Sequence, residues 1–190
     1  FKRIDTTDIF LVGDGHDGKG CKEIIDKNSD LIMIKAFREG TEKAMELAIS
    51  LCKNEYSGAM LIIATYNLAT RKLSCTSIGD SFFGYYKDDK CVYYQQGHQD
   101  IDLKILKEKG ISLIIDDSIE APKPRECGKI MDVNFKKKKK YFKFSNNTTI
   151  AASSSLGHNG FKCLDPITKK LTIPLSDFHF IFSSDGLTDV

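Results

Sequence analysis

The most informative segment of this chain is Phe10-Leu-Val-Gly-Asp-Gly-His-Asp-Gly18. The apolar run over 8–12 ends abruptly in three glycines, with two aspartates and a histidine set among them. The apolar residues indicate a buried strand, and the glycines allow the backbone to turn tightly where that strand ends. We therefore expect Asp14, His16 and Asp17 at the end of a buried strand, where carboxylates and an imidazole can serve a metal or a phosphate.

A dinucleotide-binding loop is one interpretation of this stretch. Residues 13–18 match the pattern G-x-G-x-x-G and precede a helix-like segment over 21–27. Such a loop packs a pyrophosphate against a helix N-terminus, and Asp14 and Asp17 would repel that anion. A dinucleotide-binding unit also requires a second strand that ends in an acidic residue. In this chain the corresponding segment, which starts at Leu31, looks helical. The short pattern is therefore a weak indication.

A carboxylate metal site is the second interpretation, because a cation reverses the sign of the electrostatic argument. Hard divalent cations bind oxygen ligands from aspartates, backbone carbonyls and water. Two further apolar runs end in an aspartate beside a glycine, at Asp80 and at Asp185. One Asp-Gly pair indicates only a turn. Three such strand ends far apart in the sequence favour a shared site.

Five short blocks of the sequence carry a resemblance to a known family. They are Asp14-Gly-His-Asp-Gly18, Ser57-Gly-Ala-Met60, Ile78-Gly-Asp-Ser81, Ser153-Ser-Ser-Leu-Gly-His158 and Ser184-Asp-Gly-Leu-Thr-Asp-Val190. In this order they resemble blocks of the metal-dependent protein Ser/Thr phosphatases of the 2C (PPM) type. The order, over nearly the whole chain, is more specific than any single block. The resemblance implies an α+β fold, with two packed antiparallel β-sheets flanked by α-helices.

The resemblance also implies a reaction and its residues. It implies hydrolysis of phosphoserine and phosphothreonine in proteins by a metal-activated water, with two Mg²⁺ or Mn²⁺ ions. Asp14 and Asp185 are the implied catalytic metal ligands, Gly15 would donate its carbonyl, and Asp80 resembles a third, weaker metal position. His16 is the implied general acid for the leaving oxygen, with a purely structural role as its alternative. Ordinary turn residues remain the alternative for the aspartates.

Several residues depart from the family pattern. Asp17 replaces a glycine, where we expect it to be exposed, and His158 replaces an aspartate and is expected to be non-catalytic. Phe82 and Ser154 each replace an arginine, and Met60 replaces a threonine. These departures support an alternative function: a catalytically inactive pseudophosphatase that acts as a binding or regulatory module.

The ends of the sequence lack further family features. A phosphate-binding arginine, an early acidic pair and a last metal-ligand aspartate have no counterpart in this chain. We expect residues 1–190 to form a single PPM-type domain that is incomplete at both termini.

Composition favours an ordinary globular protein. Hydrophobic residues make up 41% of the chain and charged residues 28%, and the net charge is only +2, so one core is expected and no strong attraction to polyanions. No apolar run approaches the roughly 20 residues that span a bilayer. The 6 cysteines form no C-x-x-C pair, which favours reduced, buried thiols over a disulfide framework or a zinc site. We expect an intracellular protein, cytoplasmic or nuclear.

Partner predictions depend mainly on the lysine run Lys136–Lys140. We interpret it as a solvated loop, with a contact to an anionic surface or peptide as the alternative. No base-reading motif is apparent, so we expect no nucleic-acid partner. A phosphoprotein substrate or a regulatory protein is the expected partner.

Hydrophobic periodicity predicts the elements. We expect helices near 19–27, 30–53 and 102–110, and an irregular segment over 111–150 that leads into the last strands. The predicted strands are 8–12, 59–66, 72–78, 82–87, 91–95, 141–145, 149–152 and 178–183.

Overall fold

A computed structural model describes residues 1–88, 90–95, 112–116, 139–143, 149–150, 155–158 and 165–184. Its helices are α1 (Gly20–Lys27), α2 (Ser29–Glu39) and α3 (Thr41–Cys52). Its strands are β1 (Lys2–Ile4), β2 (Thr7–His16), β3 (Gly58–Asn67), β4 (Lys72–Ile78), β5 (Phe82–Lys87), β6 (Lys90–Gln95), β7 (Ser112–Asp116), β8 (Lys139–Lys143), β9 (Thr149–Ile150), β10 (Leu156–Gly157), β11 (Ile167–Thr172) and β12 (Phe178–Ser183).

The described strands form three antiparallel sheets. The first has the order β1-β2-β3-β4-β11, with β10 also paired to β3. The second has the order β12-β5-β6, and the third β7-β8-β9. Because β2 and β3 pair antiparallel, the glycine-rich stretch does not open a parallel βαβ unit. The dinucleotide-binding interpretation is therefore wrong.

The first sheet is buried on both faces. One face packs against the three helices, in a core that includes Leu61 and Ile63 of β3. The other face packs against the second sheet, in a core that includes Ile62 of β3 and Phe83 of β5. Alternate residues of a strand point to opposite faces, which explains why β3 is apolar almost throughout. This arrangement confirms the predicted α+β fold of two packed antiparallel sheets with flanking helices.

The inter-sheet core is largely aromatic. The rings of Phe83 and Phe182 are stacked with centroids 5.2 Å apart, and Phe10 lies 5.2 Å from Phe182. Such pairs contribute about 0.5–1.5 kcal/mol each beyond the apolar area that they bury. These pairs hold β2 of the first sheet against β5 and β12 of the second, and so position the ends of the three strands relative to one another.

The single helix predicted over 30–53 is wrong, because Gly40 divides it into α2 and α3. Gly40 has a φ of 96°, a conformation that a helix does not contain and that other residues rarely adopt. Its N–H still donates to the carbonyl of Ala36, so it closes the last turn of α2. Thr41 then begins α3, and its hydroxyl bonds the hydroxyls of Ser74 and Thr76 at 2.8 Å each.

Other element predictions had mixed outcomes. The helix α1 and the strands β2 to β6 and β12 agree with the prediction within a few residues. The predicted strands 141–145 and 149–152 correspond to β8 and β9. The strands β1, β7, β10 and β11 were not predicted, and β7 lies in a segment that was predicted to be irregular. Lys139 and Lys140 belong to β8. The predicted helix over 102–110 and the other lysines of the run lie outside the described residues.

Cysteine burial follows the prediction with one exception. Cys21, Cys52 and Cys75 are buried free thiols, whereas Cys91 is exposed. Cys127 and Cys163 lie outside the described residues. Among the helices of the described ranges, none has the length and apolar character needed to cross a membrane.

Candidate functional site

The carboxyl ends of β2, β4 and β12 lie at one end of the sandwich. β2 and β4 both pair antiparallel with β3, so they run in the same direction and end at the same edge. The chain then turns into β5, which pairs antiparallel with β12 so that Phe82 lies opposite Ser183. The amino end of β5 and the carboxyl end of β12 therefore lie together, next to the end of β4.

Asp14 and Asp80 flank the start of β3. Asp14 lies opposite Met60 in the β2–β3 ladder. Gly79 directly follows β4 and has a φ of 96°. A Cβ at this position would lie 2.6 Å from Met60 Cγ, so the close approach of the two segments requires glycine. Asp80 follows directly, and both aspartates are partly buried. Strands two apart in a sheet are separated by about 10 Å, so the two aspartates belong to one region of the surface.

Gly15 and Asp185 complete the predicted metal ligands. Gly15 is exposed and lies opposite Ala59 of β3. The first turns of α1 cover it from one side, because a Cβ at position 15 would lie 3.1 Å from Lys22 Cβ. Asp185 lies outside the described residues, so its role as a ligand stays a prediction.

His16 ends β2 and lies opposite Gly58, the first residue of β3. Asp17 follows it with a φ of 57°, a left-handed conformation that Asp tolerates better than most residues. This turn directs the Asp17 carboxylate back to the imidazole, with 3.2 Å between His16 Nδ1 and Asp17 Oδ2. The Asp17 side chain is 58% exposed, as predicted, whereas that of His16 is 22% exposed.

His158 packs on the same imidazole from the other edge of β3, because it follows β10, which pairs with that strand. Its ring is stacked on that of His16 with centroids 5.0 Å apart. Its backbone N–H donates to the carbonyl of Ser57 at 3.2 Å, and its Nδ1 lies 3.1 Å from the carbonyl oxygen of Tyr56. Its side chain is 4% exposed, and its Nε2 lies 3.7 Å from Asp17 Oδ2.

The protonation of His158 follows from its surroundings. A carbonyl oxygen only accepts, so Nδ1 carries the hydrogen that faces Tyr56. Burial lowers the pKa of His158, the neighbouring His16 lowers it further, and Asp17 and the Tyr56 carbonyl oppose that shift. The neutral ring therefore presents a lone pair at Nε2. Within the described residues, neither this atom nor His16 Nε2 has a hydrogen-bond partner, although both are buried.

Sequence reasoning missed the contact between the two departures from the family pattern. The sequence predicts an exposed substitution at Asp17 and a non-catalytic histidine at His158, and it does not connect the two. Both are metal-ligand residue types, and both lie in blocks that the resemblance assigns to the site. Two ligand-type residues in blocks of one implied site are the signal that predicts a contact between them.

Two other residues that depart from the family pattern, Phe82 and Met60, belong to the core. Phe82 is 6% exposed and packs against Tyr94, with ring centroids 5.5 Å apart. Met60 is 7% exposed and contacts Gly79. An arginine at position 82 would need a different environment from the one that β5 offers. Ser154 lies outside the described residues.

The comparisons with known proteins identify the fold. No protein-family model matches the sequence, and no curated protein is significantly similar to it. A solved structure of a C. elegans sex determining protein superposes with a TM-score of 0.72 at 16% identity, covering 99% of this chain and 45% of that one. The serine-threonine phosphatase 2C of Toxoplasma gondii superposes with a TM-score of 0.61 at 14% identity, covering 98% of this chain and 70% of that one. The chain therefore has a phosphatase 2C-like fold and spans less than half the length of the first of these structures.

Proposed function

We propose that this chain carries part of the active site of a metal-dependent phosphatase that hydrolyses phosphoserine and phosphothreonine in proteins. The observation that carries the proposal is the meeting of the β2 and β4 ends, which brings Asp14, His16 and Asp80 to one end of the sandwich. The similarity of the fold to a Toxoplasma phosphatase 2C supports the same class of reaction.

The donor set suits hard divalent cations. Asp14, Asp80 and the Gly15 carbonyl offer oxygen atoms, the ligands that Mg²⁺ and Mn²⁺ prefer. When bound, such cations neutralise the charge of a phosphate and lower the pKa of a water toward neutrality. We include Asp185 as a further ligand. The β5–β12 ladder supports this, because Ser183 lies opposite Phe82, which follows Asp80 by two residues.

His16 acts as the proton donor in this proposal. It follows Asp14 by two residues in β2, so both side chains belong to the same face of that strand. Asp17 accepts a hydrogen bond from Nδ1 of His16 and so orients the imidazole. The proton that His16 donates would go to the serine or threonine oxygen that leaves the phosphate.

The setting of the enzyme is part of the proposal. The buried free thiols of Cys21, Cys52 and Cys75 suit a reducing, intracellular compartment. The substrate is a phosphoprotein, and the run Lys136–Lys140 is a contact for its anionic groups.

The test is phosphate release from a phosphothreonine peptide by the full chain, in Mn²⁺ and in EDTA. We expect release in Mn²⁺ alone, and we expect Asp14→Asn to abolish it. Asp88→Asn is the matched control, because Asp88 is an exposed turn aspartate at the far end of β5. Turnover that persists in EDTA, or that Asp14→Asn retains, contradicts the proposal.

A pseudophosphatase is the second candidate, and the burial of Phe82 favours it. An aromatic core residue stands where the family pattern has an arginine. In this case the chain binds a partner protein and does not turn over phosphate. Absence of Mn²⁺-dependent release, from protein that circular dichroism shows to be folded, supports this candidate over the enzyme.

A further inference from the structure

We propose that His16, Asp17 and His158 form a binding site for one transition-metal ion of the Zn²⁺ type. These side chains offer two imidazole nitrogens and one carboxylate oxygen, and the ligand atoms all lie within 4.8 Å of one another. The site differs in donors from the aspartate ligands of the proposed phosphatase but shares His16 with it, so an ion bound here would keep His16 from acting as the proton donor. Binding of the ion itself does not depend on phosphatase activity.

The spacing of the ligand atoms suits a small cation. In a four-coordinate zinc site with bonds of about 2.1 Å, neighbouring ligand atoms lie about 3.4 Å apart. Asp17 Oδ2 lies 3.2 Å from His16 Nδ1 and 3.7 Å from His158 Nε2. All three ligand atoms lie within 4.8 Å of one another, so side-chain rotations that bring the two imidazole nitrogens closer together would place them around one ion. The protein would supply three ligands to such an ion, and water would supply the fourth.

His158 is built as a ligand. Its Nδ1 hydrogen is used by the Tyr56 carbonyl, the arrangement by which metal-binding histidines are commonly oriented. Its Nε2 is buried, has no hydrogen-bond partner in the described part of the chain and faces the Asp17 carboxylate. A lone pair that faces an anionic oxygen is unfavourable unless a proton or a metal cation lies between them. A bound metal ion satisfies both atoms.

Gly58 makes room for this arrangement. A Cβ at position 58 would overlap with Cε1 of His16 and with Nε2 of His158. Since β3 begins with a residue that has no side chain, the two imidazoles can approach Asp17 together.

The donors select the class of metal. Imidazole nitrogens favour Zn²⁺ and its neighbours in the transition series, whereas Mg²⁺ and Ca²⁺ prefer oxygen ligands alone. We therefore expect Zn²⁺ and Co²⁺ to bind here and Mg²⁺ not to compete with them.

The test is a titration of the metal-free full chain with Zn²⁺, followed by calorimetry, and with Co²⁺, followed by absorption. We expect one equivalent of Zn²⁺ to bind, and a Co²⁺ spectrum of tetrahedral type without sulfur-to-metal charge transfer. Asp17→Gly and His158→Gln should each weaken Zn²⁺ binding at least about 10-fold, the loss that even an outer partner of a ligand can cause.

His179→Gln is the matched control, because His179 is an exposed histidine stacked on Tyr86, in β12. It should leave Zn²⁺ affinity unchanged. No stoichiometric Zn²⁺ binding by folded wild-type chain overturns the proposal, as does affinity retained by both ligand variants. A sulfur-to-cobalt band overturns it too, because the ligands would then be cysteines. These measurements need no turnover, so their failure is distinct from failure of the phosphatase proposal.

Discussion

His16 lies directly opposite Gly58 in the β2–β3 ladder, and its imidazole occupies the space that a side chain at position 58 would need. Gly58 also lies against His158, the residue that directly follows β10. The strand β10 pairs with β3, which brings His158 next to Gly58. One glycine therefore determines whether the two histidines can share a site.

Replacement of Gly58 by Ala tests this relationship. We expect Gly58→Ala to lower the free energy of unfolding by about 1–3 kcal/mol, the usual cost of overpacking. Gly13→Ala is the matched control, because its added methyl group would have neighbours no closer than 3.4 Å. Urea unfolding measures both variants. Equal stability of the two would contradict the crowding argument.

The left-handed backbone at Asp17 gives a second prediction. Asp17→Gly should be more stable than Asp17→Ala by about 1 kcal/mol, because glycine adopts a φ of 57° without a steric cost. Both variants remove the carboxylate, so the difference isolates the backbone. Thermal unfolding in EDTA measures it. The opposite order would mean that the turn changes conformation in the variants.

Gly40→Ala tests the break between α2 and α3. No atom lies within 4 Å of a Cβ built at this position, so an alanine there would clash with nothing. Any loss of stability would therefore come from the backbone strain of a φ of 96°. We expect a loss of about 1–3 kcal/mol in the free energy of unfolding. Chemical unfolding measures the loss, and far-UV circular dichroism reports helix content. A gain in both stability and helix content would show that the two helices can fuse.

Thiol reactivity gives a prediction that depends on pH. Burial raises the pKa of Cys75 to about 12. The unfolded thiol releases its proton near 9.0, so deprotonation favours the unfolded state and stability falls as pH rises from there toward 12. At pH 8 the native thiolate is therefore scarce, and iodoacetamide should label Cys91 but not Cys75. Mass spectrometry of the labelled peptides measures this. Rapid labelling of Cys75 at pH 8 in folded protein would refute its burial.

The sandwich was largely predictable because its strands carry strong local signals. β3 is apolar almost throughout and β12 is rich in phenylalanine, which is typical of strands in a core. The strand β11 was missed because Ile167-Thr-Lys-Lys-Leu-Thr172 does not alternate strictly and pairs at a sheet edge with the distant β4. Edge strands receive much of their stability from such pairing, and local sequence does not report it.

The break at Gly40 was missed for a different reason. The apolar pattern continues across it, because α2 and α3 both bury residues in the same core. Periodicity reports which face is buried and not whether the backbone is continuous. A glycine inside a long periodic segment was the available signal.

The candidate site was predictable where a motif at the end of a strand marks it, as at Asp14 and Asp80. Asp14, Gly15 and His16 lie in a single strand end, which sequence reasoning located. His158 is brought to His16 by the pairing of β10 with β3, and no local pattern predicts that contact. Packing between distant segments determined it.

The pairing of β10 and β11 with β3 and β4, and of β12 with β5, has a consequence for how the protein is made. The partners of each pair are synthesised far apart in time, and closing such long loops is slow. A ribosome-bound chain that has not yet reached β11 and β12 leaves the β4 edge and the aromatic face of the first sheet exposed to other polypeptides. Protection by a chaperone during translation is therefore most valuable before the last strands emerge.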